Sequence, residues 1–225
     1  MENNKNKISL IINGNKSPLV SEYNLKKGIN NVTLCINNKL TNLSHMFDYC
    51  QTLCDIEELK YLNTENFTDF SYMFHSTHKI KKLKPLENWD TSKSESFKSM
   101  FAFNSSITNL SPLKNWNVSR CKDFSEMFKY LRCLINIKPL ANWNVSNVKD
   151  FSSMFEECSR LSDLQPLEKW NVSNGTNFKK MFCRCIEISD IKPIKNWNIS
   201  LGADFEDIFA FTHIYGFEFA KKWDN

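Results

Sequence analysis

The dipeptide Met-Phe recurs at Met46-Phe47, Met73-Phe74, Met100-Phe101, Met127-Phe128, Met154-Phe155 and Met181-Phe182, and Ile208-Phe209 stands where a seventh belongs. The starting positions 46, 73, 100, 127, 154, 181 and 208 differ by 27 each time. A tryptophan column runs in the same register through Trp89, Trp116, Trp143, Trp170 and Trp197, with Leu62 in the earliest slot. No insertion breaks the frame. A period between about 20 and 50 residues marks a stacked-repeat architecture, because one such unit cannot bury its apolar face alone.

The copy Ile107 to Leu131 shows the local grammar. Phe124, Met127, Phe128 and Leu131 fall at i, i+3, i+4 and i+7, the spacing of one face of a two-turn helix. Asp69, Ser96, Asp123, Asp150, Asn177 and Asp204 occupy the column just before it, and all are favoured N-cap residues. Upstream, Trp116 and Val118 alternate with Asn115, Asn117 and Ser119, which predicts a short half-buried strand. The column Pro85, Pro112, Pro139, Pro166 and Pro193 predicts a turn or an extended edge, since proline fixes its own φ and donates no ladder bond. The predicted fold is an α/β solenoid of stacked 27-residue repeats, each with a short strand and a short helix. About seven repeats span 40–212. A non-repeat N-terminal cap covers 1–39, where Ile8 to Ile12 and Val32 to Ile36 suggest a β-hairpin, and a C-terminal cap covers 213–225.

Composition narrows the function classes. With 18 Phe and 6 Trp the chain carries the apolar surface of a folded protein, and its formal charge of +4 is spread rather than gathered into runs. Nucleic acid is therefore not an expected partner. The longest N-terminal apolar run, Ile8 to Ile12, is too short for a signal-peptide core or a membrane span, which predicts a cytoplasmic protein without membrane insertion. Cell-surface or secreted location is the alternative if an export signal lies upstream. The 8 cysteines are read as free thiols, because disulfide frameworks serve small cores in oxidising compartments.

The segment Asn-Trp-Asn-Val-Ser followed by Asp-Phe-Ser-x-Met-Phe-x-x-Cys, clearest in Asn142 to Cys158, resembles the BspA-like repeat family. These are leucine-rich-repeat-related surface protein repeats of the mycoplasma lipoprotein type. The resemblance covers about residues 40 to 212 and implies a leucine-rich-repeat-like fold and, in many members, a surface or adhesin role.

Candidate chemistry is sparse. Cys50, Cys158 and Cys185 share a column with Thr77, Asn104, Leu131 and Thr212, a mixture that suits packing of a modest-sized residue and no metal or nucleophile. His75 and His78 are expected on the solvated surface. There is no glycine-rich phosphate loop and no catalytic motif, so no enzyme activity and no cofactor is expected. The tryptophan column is read as stacked core. Asn-x-Ser tripeptides at Asn117, Asn144, Asn171 and Asn198 match the glycosylation pattern, yet recur with the repeat and suggest a polar ladder between coils. The two positions after each Met-Phe pair vary freely and carry Tyr49, Phe103, Tyr130, Arg184 and Phe211, which are the candidate residues for binding a protein partner. The expected function is a non-catalytic protein-protein interaction module, with a surface or secreted adhesin as the alternative.

Overall fold

A computed structural model describes residues 7–17, 24, 26–28, 31–37 and 39–214. Most of the C-terminal cap expected over 213–225 lies outside them. The chain divides into two compact units, Met1–Asn42 and Leu43–Asn225.

The first unit holds three antiparallel strands, β1 (Ile8–Ile12), β2 (Asn15–Ser17) and β3 (Val32–Ile36), in the order β2-β1-β3. Asn13 and Gly14, both at positive φ (51° and 82°), make the two-residue turn between Ile12 and Asn15. Asn-Gly is the favoured pair for a turn with two left-handed residues. β3 pairs with the other edge of β1, Ile8 opposite Ile36 and Ile12 opposite Val32. The two apolar runs therefore do pair, and Asn15–Ser17 adds a strand that the sequence reading did not foresee.

In the second unit the described residues contain no α-helix, which corrects the expected two-turn helix. The segment Asp123 to Leu131 instead makes consecutive tight turns, with Glu126 and Tyr130 at φ 59° and 61°. Its amides alternate in destination. The N–H groups of Phe124, Glu126, Phe128 and Tyr130 donate to Asp150, Ser152, Met154 and Glu156 of the next copy at 2.8 to 3.0 Å. Between them, Met127, Lys129 and Leu131 donate three residues back within the segment. An α-helix would consume every amide internally, four residues back. Here half of them join one copy to the next.

The aspartate column starts this path as turns and not as helix caps: Asp123 Oδ1 accepts the N–H of Ser125 at 2.8 Å, and Asp69, Asp150 and Asp204 repeat that bond. Short polar side chains commonly bond the backbone two residues on. The same column carries isolated parallel bridges, Asp69 to Ser96 to Asp123 to Asp150 to Asn177 to Asp204. The strand expected at Asn115–Ser119 is thus displaced to the aspartate column. Around Trp116 the chain still alternates, with Trp116 and Val118 buried and Asn115 and Asn117 exposed, but it is in no ladder. Each proline column residue sits in a 3-10 turn, such as Ser111–Leu113 and Lys138–Leu140, where its fixed φ fits.

Between these paths lies a core of aligned columns. Phe70, Phe97, Phe124, Phe151 and Phe178 are fully buried, as are Phe74, Phe101, Phe128, Phe155 and Phe182. Equivalent rings in neighbouring copies pack at centroid distances such as 5.6 Å for Phe70 and Phe97 and 5.7 Å for Phe155 and Phe182. Trp116 is 4% exposed, packs 5.3 Å from Phe97, and donates its Nε1–H to Leu86 of the preceding copy at 3.0 Å. Trp89, Trp143, Trp170 and Trp197 donate to Leu59, Leu113, Leu140 and Leu167 in the same way. A buried indole needs such an acceptor, and the repeat supplies one 30 residues back.

Candidate functional site

The turns place two columns of residues in the left-handed region, a conformation that favours glycine or asparagine. One column is His45, Tyr72, Ser99, Glu126, Ser153, Lys180 and Asp207; the other is Tyr49, Ser76, Phe103, Tyr130, Glu157, Arg184 and Phe211. All fourteen have φ between 51° and 63°, and none is glycine or asparagine. Each costs on the order of 1 kcal/mol relative to glycine there. At some of these positions the side chain makes contacts that glycine could not.

In the second column every residue but Ser76 joins with His75 and Arg132 in a continuous ribbon of contacts. Tyr49 meets His75 edge-on at 5.0 Å, His75 meets Phe103 at 5.3 Å, and Phe103 stacks on Tyr130 at 4.5 Å. The Arg132 guanidinium lies 5.0 Å from the Tyr130 centroid and pairs with Glu157 at 3.0 Å. Glu157 also faces Arg184 Nε at 3.5 Å, and the Arg184 guanidinium sits 4.7 Å from the Phe211 centroid. Four of the five predicted partner residues thus belong to links of this ribbon with one another or with Arg132 and Glu157, and Tyr49 joins it through His75. Tyr49 and Phe211 are 63% and 70% exposed, and Arg184 is exposed. Phe103 and Tyr130 are half-buried against each other.

His75 corrects the surface reading. It is buried, with Nδ1 2.8 Å from Asp48 Oδ1, and it meets Tyr49, Tyr72 and Phe103 edge-on. The other Asp48 oxygen lies 2.7 Å from His45 Nδ1, so one carboxylate serves two imidazoles. Asp48 and His75 occupy the same repeat column, 27 residues apart, and register arithmetic alone could have paired them. His78 is exposed, with Nδ1 2.7 Å from the Phe103 carbonyl.

The cysteine column is more than packing. Buried Cys158 and Cys185 donate their thiols to the carbonyls of Phe128 and Phe155, 30 residues back, at 3.2 and 3.0 Å. Asn104 makes the equivalent bond to Phe74. Burial raises the thiols of Cys121, Cys158 and Cys185 well above their ordinary range, which keeps them protonated. Cys183 is buried beside Cys185, and among the described residues no group of three or more His, Cys, Asp or Glu is arranged to hold a metal ion.

The Asn-x-Ser asparagines are exposed at 117, 144 and 171. Their Oδ1 atoms accept from their own turns, at the N–H of Ser119, Ser146 and Ser173. The ladder between copies is built by their neighbours, Asn147 and Asn174, which donate to Ser119 and Ser146 at 2.7 Å. A half-open depression of about 720 Å³ is lined by Cys54, Asp55, Glu57, Lys79, Lys81 and Lys82. Its carboxylates already serve the structure: Asp55 accepts the Glu57 N–H at 2.9 Å, and Glu57 pairs with Lys60 at 2.7 Å.

No helix among the described residues is long and apolar enough to cross a membrane. In-register columns, bonds between positions 26 to 30 residues apart and a single 27-residue unit define a tandem-repeat protein. A family model described as Mycoplasma protein of unknown function, DUF285, matches residues 21–134 and again residues 131–224, and the chain belongs to that family. No curated protein and no solved structure matches it.

Proposed function

We propose that the chain is a non-catalytic protein-protein interaction module built on a stacked-repeat solenoid of the BspA-like, leucine-rich-repeat-related kind, acting in the cytoplasm. The observation that supports this reading is the occupancy of the second left-handed column. A strained position filled in six of seven copies by Tyr, Phe, Arg or Glu in place of glycine, with Ser76 in the other, is a position where side chains are wanted, and strain of this kind gathers at functional surfaces. Tyr49, Arg184 and Phe211 present aromatic and guanidinium groups to solvent, the residue types that dominate binding energy at interfaces. Phe103 and Tyr130 hold the ribbon between them. The partner is a protein whose surface accepts aromatic anchors.

The test is affinity capture from native extract with the full-length chain and with a variant carrying Tyr49→Asn, Arg184→Asn and Phe211→Asn. Asparagine tolerates the left-handed backbone, so the scaffold is retained. A partner held by the wild type and lost by the folded variant supports the reading; a partner kept by both removes the ribbon as its site.

A second reading, a surface or secreted adhesin, is favoured by the resemblance that Asn142 to Cys158 carries to surface protein repeats. Fractionation of native cells separates the two, since an adhesin is recovered with the membrane or the medium.

A further inference from the structure

We infer that a second face of the repeat unit, carrying Asn88, Asn115, Asn117, Asn142, Asn144 and Asn171, is a binding surface for a neutral polysaccharide chain. This goes beyond the protein-binding reading and rests on different residues. On either side of the buried tryptophan, five copies place an exposed residue: positions 88, 115, 142, 169 and 196 before it, and 90, 117, 144, 171 and 198 after it. Eight of these ten are asparagine; the others are Asp90 and Lys169.

The fold does not require an amide there. At positions 90, 117, 144 and 171 of the second column the structural task is to accept the N–H of the residue two positions on, and Asp90 does so at 2.9 Å as well as Asn117 does at 3.1 Å. A carboxylate would serve all four. The amide differs only in its nitrogen, and among the described residues nothing accepts a hydrogen bond from Nδ2 of Asn117, Asn144 or Asn171. The flanking Asn88, Asn115 and Asn142 have no side-chain partner among the described residues at all. Because Ser119 binds Asn117 Oδ1 through both N–H and Oγ, the amide plane is fixed and its nitrogen is left to solvent. Ser146 fixes Asn144 identically.

The result is a run of neutral donors over three successive copies, Asn117, Asn144 and Asn171, the first two with their amide planes fixed. The copies are close: equivalent phenylalanine rings lie 5.0 Å apart at Phe178 and Phe205 and 6.1 Å apart at Phe101 and Phe128. That advance is comparable to one sugar ring of an extended polysaccharide, whose hydroxyl and ring oxygens recur along the polymer. Amides match hydroxyls because each can donate and accept. The charges on this face are of both signs, Asp90 and Glu168 against Lys114 and Lys169, which gives polyanions little net Coulombic attraction, and the fixed amide planes of Asn117 and Asn144 spare the entropy of ordering them. Weak contacts repeated along one polymer reinforce one another.

The experiment is co-sedimentation of the full chain with insoluble cellulose, chitin and mannan. It compares the wild type with one variant carrying Asn117→Asp, Asn144→Asp and Asn171→Asp, and another carrying Asn115→Ala and Asn142→Ala. The first keeps every Oδ1 acceptor and the second removes side chains that hold nothing, so both should melt like the wild type. Retention on at least one polymer, weakened at least tenfold in each folded variant, is the expected result. The inference is overturned by retention on none of the three, by retention unchanged in both variants, or by binding that dextran sulfate or 0.5 M salt abolishes, which would identify a polyanion as the ligand.

Discussion

Asn104 bonds two phenylalanine carbonyls at once: its Nδ2 donates to Phe74 of the preceding copy at 2.6 Å and to Phe101 of its own at 3.1 Å. Leu131, which fills the equivalent place one copy later, has no donor for the Phe101 carbonyl that lies 30 residues before it. Asn104 has already served that carbonyl. Replacing Asn104 by Leu leaves the buried Phe101 carbonyl without a side-chain donor and should cost about 1–3 kcal/mol in urea unfolding. Adding Leu131→Cys should recover part of that loss, because Cys158 reaches Phe128 from the same place in its copy. A double variant no more stable than Asn104→Leu alone would refute the compensation.

Phe124 packs on Phe97, Trp143 and Phe151. Phe124→Ala should cost about 3–5 kcal/mol through lost burial and the cavity left behind. Because copies support one another only through neighbours, amide exchange should accelerate first in the copies on either side. Wild-type stability in this variant would show the core to be misplaced.

The left-handed columns separate backbone strain from side-chain contact. Ser153 has φ 54°, so Ser153→Asn should raise stability by about 0.5–1 kcal/mol. Phe103 has φ 63° but stacks on Tyr130, so Phe103→Asn should lower stability by at least about 0.5–1.5 kcal/mol despite the easier backbone. Thermal melting of the two variants gives opposite signs if the ribbon contributes to the fold.

The columns of the core were legible in the sequence, whereas the path of the backbone was not. Phe124, Met127, Phe128 and Leu131 are all buried as their spacing requires. The same spacing fits a helix and a pair of four-residue turns equally well. What decides between them is where the amides of Phe124 and Glu126 go, and their acceptors, Asp150 and Ser152, lie 26 residues away. Local pattern carries no trace of that choice. For the site, the variable positions at Tyr49 and Phe211 were visible as departures from the repeat, but their left-handed backbone and their linkage through His75 and Glu157 come only from the stacking of copies.

Cys121, Cys158 and Cys185 titrate far above the ordinary thiol range when folded, because burial disfavours the thiolate. Their folded pKa values exceed the unfolded value of about 8.5, so unfolding releases protons above that pH. Stability is fully retained below about pH 8.5 and falls as pH rises, by up to about 1.4 kcal/mol per pH unit for each thiol. Cys158→Ser keeps a donor for Phe128 and removes one titration, so its stability should decline less steeply between about pH 9 and 10.5. Parallel slopes in wild type and variant would contradict this.

The alternating amides of each turn segment, Leu43, His45, Phe47 and Tyr49 and so on through Phe178, Lys180, Phe182 and Arg184, donate to the copy after, while those at the segment's start, such as Asp150 and Asn177, donate to the copy before. Donors of any copy therefore match acceptors of every other, whichever copy follows. Excising 27 consecutive residues anywhere within the array rejoins a donor row to an acceptor row, and duplicating them does the same. The length of the array is thereby free to drift in whole units under selection for what its surfaces hold, while the backbone imposes no preferred number.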